Sequence, residues 1–245
     1  MIGTDLKSYV LEAGDLLYKV MPALYKPLYF FYKNIEDRKT IGLIKNKIGT
    51  GMKVLDIGAN IGFYSVMLSK LVGNAGEVHA FEPAPRNFEF LVKNTAHLSN
   101  VVGHKLAVAG ETGRIKLYLS EKLNVDHRTY DCGQDRLSTD VDAVSIDDFF
   151  RNGERFDFIK IDLQGYDYYA VSGMRETIKR SPGCMIIGEF YPSGLKKAGV
   201  EPRKYIELLE EIGLAVVFPG FDDIFAYESA FEDQGFYCDF FCVKR

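Results

Sequence analysis

The chain has 245 residues, 47% of them hydrophobic and 26% charged, with a formal net charge of −4 and a pI near 5.7. It is long enough to bury a substantial core as one catalytic domain, with or without a helical appendage. The acidic balance leaves no general basic surface, so neither nucleic acid nor an anionic membrane is the expected bulk partner, local patches aside. Four cysteines without a CxxC pair argue against a thiolate metal site and, with no signal-peptide pattern, suggest reduced thiols in the cytoplasm.

Residues 5–48 read as helical. Leu16, Leu17 and Val20, then Leu24, Leu28 and Phe31, recur at helical spacing, and Pro22 and Pro27 are expected to divide the pattern into two or three short helices. The stretch LYKVMPALYKPLYFFYK (17–33) is rich in aromatic residues and lysine, a composition that suits a weak membrane-surface contact with snorkelling lysines. It is too interrupted to span a bilayer. Such stripes more commonly cover a core, so residues 1–50 are expected to cap the cleft of a domain running from 51 to 245.

From Lys53 strands and helices alternate, the pattern of a doubly wound, mostly parallel α/β sheet. Lys53 to Ile57 reads as a strand and Ile61 to Leu71 as its helix. Between them the stretch VLDIGANIGFYS ends an apolar run on Asp56 and turns through Gly58, Ala59, Asn60 and Gly62. Asn60 stands where a dinucleotide fingerprint carries its middle glycine. An acid at the strand end with such a turn suits a cationic ligand, the amino-acid part of S-adenosylmethionine, better than a diphosphate.

Gly76 to Phe81 is the next strand, ending on Glu82 and Pro83 ahead of a helix over Pro85 to Leu98. An acid at this distance from the glycine turn typically takes ribose hydroxyls. Val101 to Ala107 reads as a third strand, with adenine expected near Ala107 and Val108, and Arg114 to Leu119 as an inserted antiparallel strand. The loop NVDHRTYD gathers Asp126, His127 and Arg128, the kind of content that often carries function. A short strand over Val141 to Ser145 and a helical turn over Ile146 to Arg151 follow. FDFIKI (156–161) is a strand ending on Asp162, with a helix through Arg180 behind it. Cys184 to Phe190 is a strand carrying Glu189 at its end and Tyr191 just beyond. Pro202 to Ile212 is a helix, and Leu214 to Phe218 and Phe236 to Val243 are closing strands.

Through VLDIGANIGFYS, VHAFEPAPRNFEFLVKN, FDFIKIDLQGYDYYAVSGM and MIIGEFYP, in that order, the chain resembles the FkbM family of S-adenosylmethionine-dependent methyltransferases from about Lys53 to Phe218. The resemblance implies a seven-stranded Rossmann-like methyltransferase sheet with its last strand antiparallel, O-methylation of a hydroxyl, and cofactor binding by Asp56, Gly58, Asn60 and Glu82. One departure is Gln164, where the family usually reads D-x-E-G.

Methyl transfer from a sulfonium asks the protein to align donor and acceptor, exclude water and take the acceptor's proton. His127, an imidazole of the kind that titrates near neutrality when unperturbed, is the first choice of base, with Asp162 and Glu189 next. Arg128 suits an anionic group of the acceptor, and Asp126 and Tyr191 could help bind it. The expected acceptor is a small molecule or glycan bearing several hydroxyls. A metal-assisted version would use Asp162 and Asp126 on a magnesium ion, although no compact ligand cluster is visible and no metal is expected. The competing classes are a nicotinamide-dependent oxidoreductase, against which Asn60 speaks, and a cofactor-binding module without catalysis, for which Gln164 is the hint.

Overall fold

The computed structural model describes residues 17–18, 20–120, 127–131, 136–233 and 235–244. After helical residues at 17, 18 and 20, α1 (Pro22–Glu36) and α2 (Arg38–Lys47) precede the sheet. Pro27 does not break α1. Its missing N–H removes one bond, but Tyr25, Tyr29 and Phe30 on one helix face join Tyr18, Ile61 and Phe90 in an apolar cluster, which holds the helix continuous.

The main sheet comprises β1 (Lys53–Ile57), β2 (Glu77–Phe81), β3 (Val101–His104), β7 (Phe158–Ile161), β8 (Met185–Phe190), β9 (Leu214–Val217) and β10 (Cys238–Lys244). Their order is β3-β2-β1-β7-β8-β10-β9, and β10 runs antiparallel to both its neighbours. The crossover helices are α3 (Phe63–Val72), α4 (Pro85–Thr95), α6 (Asp167–Ser172), α7 (Arg175–Arg180) and α9 (Pro202–Glu211).

Three expectations need correction. The third strand ends at His104, and the chain then joins a separate three-stranded sheet as β4 (Ala107–Val108), which pairs with β6 (Ser138–Val144); β6 in turn pairs with β5 (Gly113–Tyr118). The helix expected through Arg180 is two helices, because the chain at Gly173 runs against the Ala109 carbonyl, where a Cβ would come within 2.2 Å. The strand expected to start at Val141 begins three residues earlier, at Ser138. A short α8 (Pro192–Lys197) and a 3₁₀ segment (Ile224–Glu232) fill spans that carried no expectation; α5 (Ile146–Phe149) is the helical turn.

Register decides what shares a face. Asp56 on β1 is the Cα partner of Lys160 on β7, and Glu189 on β8 is the partner of Asp239 on β10. Side chains alternate along strands, so this face carries Val54, Phe158 and Ile187 under α2 and α3, packed with Ile41, Ile44, Tyr64 and Leu68. The opposite face, with Leu55, Ile57, Ile159 and Ile186, builds the larger core.

Candidate active site

The first turn is built on close approach. Gly58 has φ +79°, and a Cβ there would lie 2.1 Å from the Asp162 carbonyl oxygen, so the ends of β1 and β7 can meet only through glycine. Gly58 and Ala59 donate their N–H groups to the Phe81 carbonyl at 3.0 and 2.9 Å. Asn60 takes φ 51°, and Gly62, at φ +88°, caps α3. Glu82 is buried and its two oxygens accept N–H bonds from Asn60 (2.8 Å) and Ala84 (2.9 Å), which ties the second strand end to the first turn. Burial pushes its pKa up to about 7 against those two N–H groups. Half-buried Pro83 follows it, and Ala84 packs with Ala107, while Val108 packs with Phe81.

Asp56 is fully buried. Oδ2 accepts from Ser65 Oγ at 2.6 Å, whereas Oδ1, like Asn60 Oδ1, is buried without a hydrogen-bond partner. Its counter-ion is Lys160, a residue that periodicity did not single out although a lysine inside the apolar run FDFIKI was a visible irregularity. Lys160 Nζ lies 3.9 Å from Asp56 Oδ1, 3.3 Å from Asp162 Oδ2, 3.4 Å from the Gly58 carbonyl and 5.0 Å from the Tyr64 ring centre. Burial alone would lower its pKa, but Asp162 and Asp56 hold it above the usual lysine range.

A cavity of about 490 Å³ opens on this face between the strand ends and the joint of α1 and α2. Lys33, Asp37, Tyr64, Lys160, Asp162, Glu189 and Asp239 line it, with Ile35, Arg38 and Lys39 among the residues contributed by the joint. Gln164, at φ 55°, bridges its two strand-end acids: Nε2 donates to Asp162 Oδ1 at 2.9 Å and to Glu189 Oε2 at 3.3 Å. Asp37 accepts from Tyr64 Oη at 2.7 Å and pairs with Lys33 at 2.5 Å. The two acids diverge electrostatically. Burial works to raise Asp162, yet Lys160, Lys33 and the Gln164 bond hold it below the ordinary carboxylate range. Burial, Asp162, Asp167 and Asp239 push Glu189 well above it.

Of the polar loop, Asp126 lies outside the described residues. Arg128 pairs its backbone with Tyr118, and its guanidinium stands 5.9 Å from the ring centre of buried Tyr191. Tyr130 Oη donates to the Gln164 carbonyl at 2.7 Å, so this edge of the loop reaches the site. His127 accepts the Ser120 N–H on Nδ1 at 3.0 Å and is absent from the cavity lining. Among the described residues no group of three or more His, Cys, Asp or Glu is disposed to hold a metal ion, and no helix is long and apolar enough to cross a membrane.

A sheet ordered 3-2-1-7-8-10-9 with one antiparallel strand, carrying a glycine turn and an acid on adjacent strand ends, defines the fold of the S-adenosylmethionine-dependent methyltransferases. It is shared with Aeropyrum pernix fibrillarin in complex with S-adenosyl-L-methionine (TM-score 0.51, 13% identity, 84% of this chain and 74% of that one). Residues 56–234 match the methyltransferase FkbM domain, and the chain belongs to that family of S-adenosylmethionine-dependent methyltransferases. It is also 32% identical over 89 residues to a probable cobalt-precorrin-6B C(15)-methyltransferase (decarboxylating) of Saccharolobus solfataricus, a match covering 36% of this chain. An FkbM methyltransferase of Methylobacillus flagellatus aligns over 78% of this chain with 16% identity and a TM-score of 0.49. The match spans 44% of the Saccharolobus solfataricus protein and 43% of the Methylobacillus flagellatus one. The family match sets aside the nicotinamide alternative.

The residues fit that cofactor. The unpartnered Asn60 Oδ1 at the turn and the pinned Glu82 carboxylate are acceptors for a ligand bearing an ammonium and ribose hydroxyls. Asp56 faces Lys160 at 3.9 Å, and burial raises its pKa against the pull of that ammonium.

Proposed function

We propose that the protein methylates a hydroxyl of a sugar or another small polyhydroxy acceptor, and that the acceptor enters the cavity under the α1–α2 joint. The observation that carries this is the pair Asp162 and Glu189, bridged by Gln164 in one cavity and displaced in opposite electrostatic directions. Carboxylates and lysines around a cleft bind hydroxyls well. Paired acids whose environments separate their pKa values divide proton-accepting and proton-holding roles.

Bound S-adenosylmethionine supplies the methyl group. Asp162, held ionised, accepts the proton of the attacking hydroxyl, while Glu189 keeps its proton and donates to a neighbouring acceptor oxygen. Arg128 and Tyr191 flank the site from the loop side. Residues 1–50 act as a cap that keeps water out and helps select the acceptor, with 51–245 as the catalytic unit. The free thiols of Cys184, Cys238 and Cys242 support a reducing, cytoplasmic setting.

Radiolabelled methyl transfer to a panel of sugars and polyols tests the proposal. Asp162→Asn should lower turnover by roughly 10²- to 10⁴-fold with S-adenosylhomocysteine affinity nearly intact. Glu189→Gln, which retains a donor, should lose much less. A large loss in Glu189→Gln with a small one in Asp162→Asn would move the base to Glu189. A large loss only in His127→Ala would return it to the loop.

A further inference from the structure

Helix α1 has two apolar faces, and among the described residues only one is covered. Tyr25, Tyr29 and Phe30 turn inward, whereas Leu24, Leu28, Phe31 and Ile35 form a stripe at helical spacing on the outside. Leu28 is 54% exposed, Phe31 67% and Ile35 57%, and Val20 and Met21 continue the stripe at its start. A contiguous exposed stripe of this size marks an interaction surface. The charge beside it is local. Residues 20–47 hold six lysines and arginines against two acids, in a chain whose net charge is −4. Arg38, Lys39, Lys45 and Lys47 are exposed, and Arg38 and Lys39 share the rim of the cavity with Ile35, the last residue of the stripe.

We infer that α1 docks in the plane of an anionic lipid bilayer surface, its outer stripe in the acyl boundary and the basic residues of α2 at the headgroups. An apolar helix face combined with a cationic flank is what such binding needs. A second copy of the chain would bury the stripe as well, but it would bring two cationic caps together. The docked orientation turns the cavity rim at Ile35, Arg38 and Lys39 toward the lipid. Docking does not depend on which acceptor is methylated.

The test is co-sedimentation of the full chain with vesicles of phosphatidylcholine alone and of phosphatidylcholine mixed with phosphatidylglycerol. The wild type should pellet with the mixed vesicles at low salt and much less with the neutral ones. Leu28→Glu/Phe31→Glu, both positions outside the cavity lining, should weaken binding by roughly tenfold or more while S-adenosylhomocysteine affinity is unchanged. Lys45→Glu/Lys47→Glu, which leaves α1 untouched, should weaken it too. Wild-type protein that stays in the supernatant, or an apolar-stripe variant that pellets like wild type, would overturn the inference. So would a wild-type dimer in light scattering that Leu28→Glu/Phe31→Glu converts to a monomer.

Discussion

At the scale of single residues, the meaning of an acid here depends on the partner the fold gives it. Asp56 stood out in the sequence as a strand-end acid, and its location was legible. Its partner was not, because β1–β7 register is a long-range fact that places Asp56 beside Lys160 across more than a hundred residues. Removing one member of a buried pair leaves the other uncompensated, at a cost of about 3–5 kcal/mol. Lys160→Met should therefore lose stability of that order in urea unfolding, and Asp56→Asn/Lys160→Met should recover much of it. Additive losses in the double variant would show that the two charges do not support each other. Gln164 illustrates the same dependence. Read along the chain it is a missing carboxylate, whereas in three dimensions it faces Asp162 and Glu189, where an amide donates to both and an ionised acid would repel the Asp162 carboxylate.

At the scale of elements, β1, β2, their glycine turn and the acid after β2 were legible from Lys53–Ile57 and Glu77–Phe81, because apolar runs bounded by glycine and proline signal buried strands directly. The third strand was not, since Lys105 and Leu106 carry the chain out of one sheet and into another without any breaker residue to announce it. The β2–β3 pairing also sets His79 against His104, with stacked rings and Nδ1 to Nε2 at 3.0 Å, beside Phe81, Phe149 and Phe150. Burial and the neighbouring His79 bring His104 down to about 4, and burial lowers His79 against the opposing pull of Glu77. Both imidazoles regain their ordinary affinity for protons on unfolding. Between about pH 6.5 and 4 the unfolded chain thus binds more protons, so the pair's contribution is complete above that window and is lost as pH falls through it. A loss of stability by pH 5, reduced by solvent screening of these partly exposed rings, is expected, and His104→Gln should flatten the dependence of Tm on pH over that range. An unchanged slope in the variant would assign the acid sensitivity to other groups.

At the scale of the whole molecule, an averaged quantity such as net charge concealed a cationic cap on an acidic body, and only the arrangement of α1 and α2 over the strand ends separates the two. The choice of base depends on the same kind of fact: His127 is attractive in sequence as an imidazole, and the side chains that converge in the cavity are set by β7, β8 and β10 lying side by side. The sheet order also has a consequence in time. Among the described residues strand β9 bonds only to β10, which follows it in the chain. During synthesis the 214–217 segment therefore waits with its backbone groups unpaired until residues 238–244 have emerged, and that edge of the sheet is zipped in reverse order of manufacture. A message truncated after codon 235 should release a chain that keeps Asp162, Gln164 and Glu189 yet leaves β8 with a bare edge. Such a chain should be degraded or aggregate, whereas supplying residues 236–245 as a separate peptide during refolding should rescue soluble, S-adenosylhomocysteine-binding protein.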